Sequence, residues 1–129
     1  MRVLLDTHVW LWMVDTPERL VRQSRELVSA EENELLLSAA SAWEIAIKHG
    51  TGKLPLPGDP ELVVPAWMDR TRVMPLAVGH AHALRVARLP LHHRDPFDRL
   101  LIAQAQIERV PIMTADRHFG AYDVEVIAA

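Results

Sequence analysis

The chain has 129 residues, of which 50% are hydrophobic and 24% are charged, and its formal net charge at pH 7 is −3. This length and composition fit a single domain with a buried core and exclude a disordered chain. The negative net charge excludes a globally basic surface, so any contact with nucleic acid must come from a local basic patch. The absence of cysteine excludes disulfides and thiolate ligands and suits the reducing cytoplasm, where we expect the protein to reside.

The first half of the chain alternates short apolar runs with helical patterns. The apolar runs are too short to span a bilayer, and Asp6 comes too early for a secretory signal peptide, so we expect no membrane partner. The predicted elements are a buried strand at 3–5, a helix at 7–13, a new element from Pro17, a helix at 24–30, a polar loop at 31–33, a buried strand at 35–37 and a helix from 41 to about 48 that ends at Gly50 and Gly52.

The second half continues the alternation. The predicted elements are a proline-rich loop at 54–60, a helix at 61–71, a strand at 73–76, a helix at 78–89, a loop at 90–94, a helix at 95–105, and strands at 110–114 and 124–127. Alternating apolar strands and helices predict an α/β fold with a parallel sheet covered on both faces. Ligands in such folds bind beyond the carboxyl ends of the strands.

The helix at 95–105 has a well-defined start. Asp95 suits the N-cap, and Pro96 suits the first helical position, where its missing N–H would have no partner. An apolar stripe along this helix predicts that it packs against the sheet. Asp98 lies in the first turn outside that stripe, near the positive end of the helix.

Acidic residues stand at several places that the fold brings to one edge of the sheet. Asp6 follows the first strand, Glu44 begins the helix after the second, Asp98 begins the helix before the fourth, and Asp116 follows the fourth. Asp95 is a further candidate. Each acid also has a simple role as a helix cap, and Ser41 with Glu44 has the spacing of a capping box.

Together the four carboxylates would repel one another unless cations neutralised them. Carboxylate oxygens are preferred ligands of Mg²⁺ and Mn²⁺. Such a centre polarises a phosphoryl oxygen and activates a water for in-line attack. The sequence contains no nucleotide-binding loop, nucleophile elbow or dinucleotide fingerprint that would offer another mechanism.

The histidines and tryptophans have structural interpretations. Neither His80 with His82 nor His92 with His93 has the spacing of a zinc site. His93 and His118 lie close in sequence to the acids, which makes a substrate contact an alternative, but we expect both to be solvated on the surface. We expect the tryptophans in apolar segments to lie in the core or in a dimer interface rather than to stack on bases; these are Trp10, Trp12 and Trp43.

Four motifs, in order along nearly the whole chain, resemble those of the PIN-domain family, specifically its VapC-type ribonuclease toxins. They are LLDTHV with LW at 4–12, SAASAWEIAIK at 38–48, HRDPFDRLLIAQA at 93–105 and TAD at 114–116. The chain departs from the pattern at Gly50 and Thr51, where a basic and an aliphatic residue usually precede Gly-Lys-Leu.

The resemblance implies a three-layer α/β/α sandwich with a mainly parallel sheet of about four to five strands. It also implies an endoribonuclease that depends on Mg²⁺ or Mn²⁺, a homodimer, and a small antitoxin protein that binds and inhibits it in a hetero-oligomer. It assigns catalytic and metal-site roles to Asp6, Glu44, Asp98 and Asp116. Candidate contacts to substrate phosphates are Lys48, Lys53, Arg94, Arg99 and Arg117.

Other functions stay open. A haloacid-type phosphatase also carries an aspartate after its first strand, but the second aspartate it needs is replaced here by His8. A receiver domain needs a lysine after its last strand, and none is present. A PIN-like module that binds RNA or a partner without cleavage is the remaining alternative.

Overall fold

A computed structural model describes residues 1–129. Its five strands are β1 (Arg2–Leu5), β2 (Glu34–Ser38), β3 (Met74–Leu76), β4 (Ile112–Thr114) and β5 (Val126–Ala128). They form one sheet in the order β3-β2-β1-β4-β5, and every neighbouring pair is parallel. The central strands β1, β2 and β4 are apolar and mostly buried because helices cover both faces of the sheet there. The predicted α/β fold with a parallel sheet is therefore confirmed.

Six α-helices connect the strands: α1 (Thr7–Asp15), α2 (Arg22–Ser29), α3 (Ala39–Gly50), α4 (Pro60–Thr71), α5 (His80–Arg85) and α6 (Pro96–Glu108). Short 3-10 helices occur at Pro17–Arg19, Val86–Arg88 and Arg117–Ala121. The carboxylates of Asp59 and Asp95 accept hydrogen bonds from the first N–H groups of α4 and α6. Helix α6 ends at Arg109, which adopts the left-handed conformation with φ 55°. None of these helices has the length and apolar content to cross a membrane.

Alternate residues of the strands point to opposite faces and build two cores. Leu4, Leu36 and Ile112 pack under α6, while Val3, Leu5 and their neighbours pack against α1, α3 and α4. Trp10 is fully buried in the second core, and its indole N–H donates to Thr71 Oγ1 over 2.9 Å. These two cores anchor the helices whose first turns lie at the carboxyl edge of the sheet.

Two predicted helices differ from the structure. The helix predicted at 78–89 is divided, because α5 ends at Arg85 and the chain continues as a 3-10 turn. Helix α3 begins at Ala39, because the Ser38 hydroxyl accepts the Ala40 N–H over 3.0 Å and caps it. The predicted capping box of Ser41 and Glu44 is therefore wrong, since both side chains lie inside α3 and are buried.

Candidate active site

The carboxyl ends of β1, β2 and β4 and the first turn of α6 meet at one edge of the sheet. Asp6 leaves the central strand β1, and the α3 helix that carries Glu44 starts where β2 ends. Asp98 lies in the first turn of α6, and Asp116 follows β4. Asp6, Glu44 and Asp98 lie close enough for their charges to repel one another. The shared edge arises because all strands are parallel.

Asp6 is held by the strand beside it. Its side chain is buried, and its Oδ2 accepts the hydroxyl of Thr114 over 2.7 Å. The Thr114 oxygen in turn accepts the main-chain N–H of Asp116 over 3.0 Å. Asp6 occupies the N-cap position of α1, but its side chain makes no capping hydrogen bond there. Burial raises the pKa of Asp6, and the bond from Thr114 only partly opposes this.

Glu44 is buried on the facing side of the site. Its Oε1 lies 2.8 Å from Thr7 Oγ1, which is also 2.8 Å from Ser41 Oγ. Since a hydroxyl has one proton and a carboxylate only accepts, Thr7 donates to Glu44. The other oxygen, Oε2, accepts a bond from Lys48 one turn later on α3. The bond to Glu44 raises the pKa of Lys48, so this ammonium group stays charged beside the acids.

Asp98 has the most strongly raised pKa of the acids at this edge. Burial raises its pKa to about 7, with additional contributions from the negative charges of Asp6, Asp95 and Glu44. A hydrogen bond from His93 Nε2 to Asp98 Oδ2, 2.7 Å long, acts in the opposite direction. Asp95 uses one oxygen, Oδ1, to cap Phe97 N and Asp98 N. Its predicted capping role is confirmed, and its negative charge still reaches Asp98.

Asp116 lies at the outer side of the same edge. Partial burial acts to raise its pKa, but hydrogen bonds from His118 outweigh burial and lower it. Oδ1 accepts both the main-chain N–H of His118 at 2.9 Å and its ring Nδ1–H at 2.8 Å. The charge of His93 also contributes to the lowering. Asp116 therefore caps the 3-10 turn at Arg117–Ala121 while its other oxygen faces His93.

His93 is the residue that the sequence interpretation placed wrongly. We expected a solvated surface histidine, whereas its side chain is only 18% exposed and lies between two carboxylates. Its Nε2 is 2.7 Å from Asp98 Oδ2 and 3.9 Å from Asp116 Oδ2. Its ring stacks on that of His118 with centroids 4.5 Å apart. The position two residues before the N-cap of α6 was the available signal, because it places the ring beside the first turn.

The hydroxyls that hold the acids were also missed. Thr7, Ser41 and Thr114 are all buried at the edge of the sheet, and each bonds to a carboxylate or to a residue that does. Thr7 follows Asp6 directly, and Thr114 ends the strand that precedes Asp116. Hydroxyl residues at the carboxyl ends of parallel strands were the signal for these contacts.

The predicted phosphate-binding residues differ in what they contact. Arg94 and Arg117 are exposed beside the acidic edge, and Lys53 is exposed after α3. Arg99 instead points inward and donates to the main-chain carbonyls of residues 86, 89, 90 and 93 and to the hydroxyl of Tyr122. Both Nη atoms of its guanidinium are used to hold this loop, which makes Arg99 poorly suited to bind a phosphate.

A cavity of about 260 Å³ opens beside Glu44. Polar, apolar and basic residues all line it; these are Thr7, His8, Leu11, Glu44, Ile45, Lys48, Lys53 and Leu54. A partly apolar cavity with a few charged groups beside a row of carboxylates is typical of a ligand site.

The donor set suits a hard divalent cation. Burial and the negative charges of Asp6, Asp95 and Glu44 raise the pKa of Asp98 to about 7, although Lys48 bonds to Glu44 and His93 bonds to Asp98. Ligand atoms of His93, Asp95 and Asp98 lie within 4.8 Å of one another, as do those of His93, Asp116 and His118. Carboxylate oxygens in this number are the ligands that Mg²⁺ and Mn²⁺ prefer.

Comparisons with known proteins agree with the fold. The chain is 50% identical over 62 residues to ribonuclease VapC16 of Mycobacterium tuberculosis, and this alignment covers 48% of the chain and 44% of that protein, less than half of its length. The structure of VapBC2 from Rickettsia felis, bound to a DNA fragment from its promoter, superposes with a TM-score of 0.75 at 13% identity over 99% of this chain and 98% of that one.

DNA-bound VapBC from Salmonella typhimurium superposes with a TM-score of 0.71 at 16% identity, covering 99% of this chain and 98% of that one. At such identities these structures show a shared fold. The family model of the PIN domain matches residues 3–125. Because this match covers almost the whole chain, the protein belongs to the PIN domain family.

Proposed function

We propose that the protein is a cytoplasmic, metal-dependent endoribonuclease that hydrolyses RNA phosphodiester bonds. The observation that carries the proposal is the convergence of buried carboxylates at the sheet edge, where burial and then the charges of neighbouring acids raise the pKa of Asp98 to about 7. Burying acids beside one another is unfavourable for folding and is typical of a functional site. The similarity to ribonuclease VapC16 supports RNA as the substrate class.

Asp6, Glu44, Asp98 and Asp116 would hold Mg²⁺ or Mn²⁺, with Asp95 as an additional acid near Asp98. When bound, such an ion polarises a phosphoryl oxygen and lowers the pKa of a coordinated water. Asp6 is suited to be the central ligand, because β1 and the Thr114 hydroxyl fix it. Glu44 is held at both oxygens, which orients it as a ligand or as the group that positions the attacking water.

The basic residues around the acids suit a substrate backbone. Lys48 bonds Glu44 with one proton and retains two further donors. Arg94 and Arg117 are exposed, and each stands next to one of the acids in the sequence, Arg94 before Asp95 and Arg117 after Asp116. We assign phosphate contacts to these three residues and not to Arg99, whose guanidinium holds its own loop.

The partner is inferred from the complexes that share the fold. One of them is described as a member of the VapBC family of toxin-antitoxin systems, from Mycobacterium tuberculosis, with 22% identity and a TM-score of 0.61. We propose that this chain acts as the toxin of such a pair, forms a homodimer, and is inhibited by a small antitoxin protein in a hetero-oligomer. The exposed side chains of Trp43 and Leu84 provide apolar surface for such contacts.

The test is cleavage of 5′-labelled single-stranded RNA by wild-type protein and by Asp6→Asn and Asp98→Asn. We expect cleavage with Mn²⁺ or Mg²⁺, none with EDTA, and losses of at least about a hundredfold in both variants. Asp69→Asn, which changes an exposed acid on α4, is the matched control and should cleave normally. Circular dichroism establishes that each variant is folded.

Full activity of Asp6→Asn, or full activity in EDTA, would refute the proposal. RNA binding without cleavage under any metal would favour the alternative, a PIN-like module that binds RNA or a partner. The toxin assignment has its own test, since induction should arrest growth and co-expression of the adjacent small antitoxin gene should restore it.

A further inference from the structure

We propose that His93 is a nitrogen ligand of the metal centre and gives it a preference for transition-metal ions over Mg²⁺. This inference rests on the proposed metal dependence and adds to it a ligand, His93, and an ion selectivity. His93 is not one of the acidic residues that the sequence identifies as candidates for the metal site.

The first support is the position of the imidazole. His93 Nε2 lies 2.7 Å from Asp98 Oδ2 and 3.9 Å from Asp116 Oδ2. Two atoms bound to one ion at about 2.1 Å lie roughly 3 to 4.2 Å apart, depending on the angle between them. The distance to Asp116 suits coordination to a shared ion, whereas the distance to Asp98 is that of a hydrogen bond. When an ion binds, the Nε2 proton passes to solvent and the nitrogen and Asp98 Oδ2 move apart by a few tenths of an ångström. The side chain is 18% exposed, which restricts it to this position between the acids.

The second support is the way in which the main chain of His93 is fixed. Its N–H donates to the hydroxyl of Tyr122 over 2.8 Å. The carbonyls of His93 and of Pro90 accept bonds from the guanidinium of Arg99, at 3.4 and 3.0 Å. Arg99 makes four hydrogen bonds to main-chain carbonyls of this loop and a fifth to the Tyr122 hydroxyl, and together these contacts fix the loop. Preorganisation of this kind is what a metal ligand needs.

The third support is the second imidazole. The His118 ring stacks on that of His93, with centroids 4.5 Å apart and planes within 10°. Ligand atoms of the two histidines and of Asp116 lie within 4.8 Å of one another. His118 is exposed, so its ring can rotate about χ1 toward an ion that His93 and Asp116 already hold. We assign it as the weaker nitrogen donor.

The selectivity follows from the donor atoms. Mg²⁺ favours oxygen and keeps several waters, whereas the affinity of a site that contains nitrogen rises along the transition metals from Mn²⁺ to Co²⁺. A centre with one or two imidazoles among carboxylates should thus bind Mn²⁺ and Co²⁺ more tightly than an all-oxygen site does, with little gain for Mg²⁺. An imidazole that only hydrogen-bonds Asp98 would not produce this difference.

The experiment measures binding of metal alone to the full chain, without RNA. Pulsed electron paramagnetic resonance of the Mn²⁺-loaded protein detects the ¹⁴N coupling of a directly bound imidazole. Isothermal titration gives the dissociation constants of Mn²⁺, Co²⁺ and Mg²⁺. His93→Gln is the test variant, because its amide can still donate to Asp98, and His92→Gln is the matched control, because its ring packs on Tyr122 in the same loop.

We expect a ¹⁴N signal in wild type and in His92→Gln and its loss or reduction in His93→Gln. Mn²⁺ and Co²⁺ affinity should fall at least about tenfold in His93→Gln, while Mg²⁺ affinity changes less than about threefold. His118→Gln should give a smaller loss. Metal binding with no ¹⁴N coupling and equal affinities in wild type and His93→Gln overturns this inference alone. Absence of any metal binding overturns the proposed metal dependence as well.

Discussion

Asp98→Asn should stabilise the metal-free protein, although it removes a proposed ligand. The Asp98 pKa is about 7 in the folded chain, against an ordinary value of 3.8. Between pH 4 and 7, Asp98 is therefore protonated in the folded protein and ionised in the unfolded chain. Stability is therefore lost as pH rises through this window, and the loss is complete above pH 7.

The magnitude follows from the two pKa values. At about 1.36 kcal/mol per pKa unit, the difference between 3.8 and about 7 corresponds to roughly 4 kcal/mol. Relaxation of neighbouring acids and entry of water reduce this cost, so we expect about 2 kcal/mol. Asparagine keeps an acceptor for His93 Nε2 and removes the charge that Asp6 and Glu44 repel. The variant should thus gain about 2 kcal/mol at pH 8 and almost nothing at pH 4.

The assay is urea unfolding in EDTA at pH 4, 6 and 8, compared with Asp69→Asn as an exposed control. Saturating Mn²⁺ should make wild type more stable than Asp98→Asn. Binding of Mn²⁺ to the folded state stabilises wild type, whereas the variant lacks a proposed ligand. A variant that is less stable than wild type at pH 8, or a difference that does not change with pH, would refute the electrostatic argument.

Three further predictions concern the groups that hold the site. Thr7→Val removes the hydroxyl between Glu44 and Ser41 and should lower the free energy of unfolding by about 1 to 3 kcal/mol, measured in urea. Arg99→Lys should lower the free energy of unfolding by about 2 kcal/mol and expose the 86–93 loop to limited proteolysis. An ammonium group cannot make the several hydrogen bonds that the two Nη atoms of the guanidinium donate to the loop carbonyls. Arg117→Gln should leave stability unchanged and reduce the slope of log K against log salt for RNA binding by about one; an unchanged slope would argue against a phosphate contact.

The elements that the sequence predicts well are those with a strong local cause. Helix α6 begins where Asp95 and Pro96 place it, and the apolar runs of β1 and β2 predict buried strands at the right residues. The start of α3 was missed because two serines compete as caps. Ser38, at the strand end, accepts the helix N–H, while Ser41 lies within the helix and bonds Thr7. Local spacing alone cannot distinguish them, since the choice depends on where β2 ends.

In the candidate site, too, some features follow from local sequence and others depend on contacts between distant segments. The edge that carries the acids is predicted by strand order, since every parallel strand ends on one side. The environment of each acid depends on contacts between distant segments: His93 reaches Asp98 and Asp116 only because Arg99 and Tyr122 fold its loop over α6. A loop conformation that is held by carbonyl contacts leaves no periodic pattern in a sequence. This is why His93 looked like an ordinary surface residue.

The pairing register of β1 and β4 places Asp6 beside Thr114, and packing in the two hydrophobic cores fixes that register. Leu4 pairs with Ile112 and Leu5 with Met113, so the next residues, Asp6 and Thr114, lie side by side. The Asp6 N–H donates to the Met113 carbonyl over 3.0 Å, which extends the ladder to the acid itself. A slip of one residue would turn the Thr114 hydroxyl to the other face and expose Met113 in its place. Burial of Leu5 and Met113 in one core and of Leu4 and Ile112 in the other forbids that slip. The apolar residues of the two cores therefore set the position of the Asp6 carboxylate through the pairing register of β1 and β4.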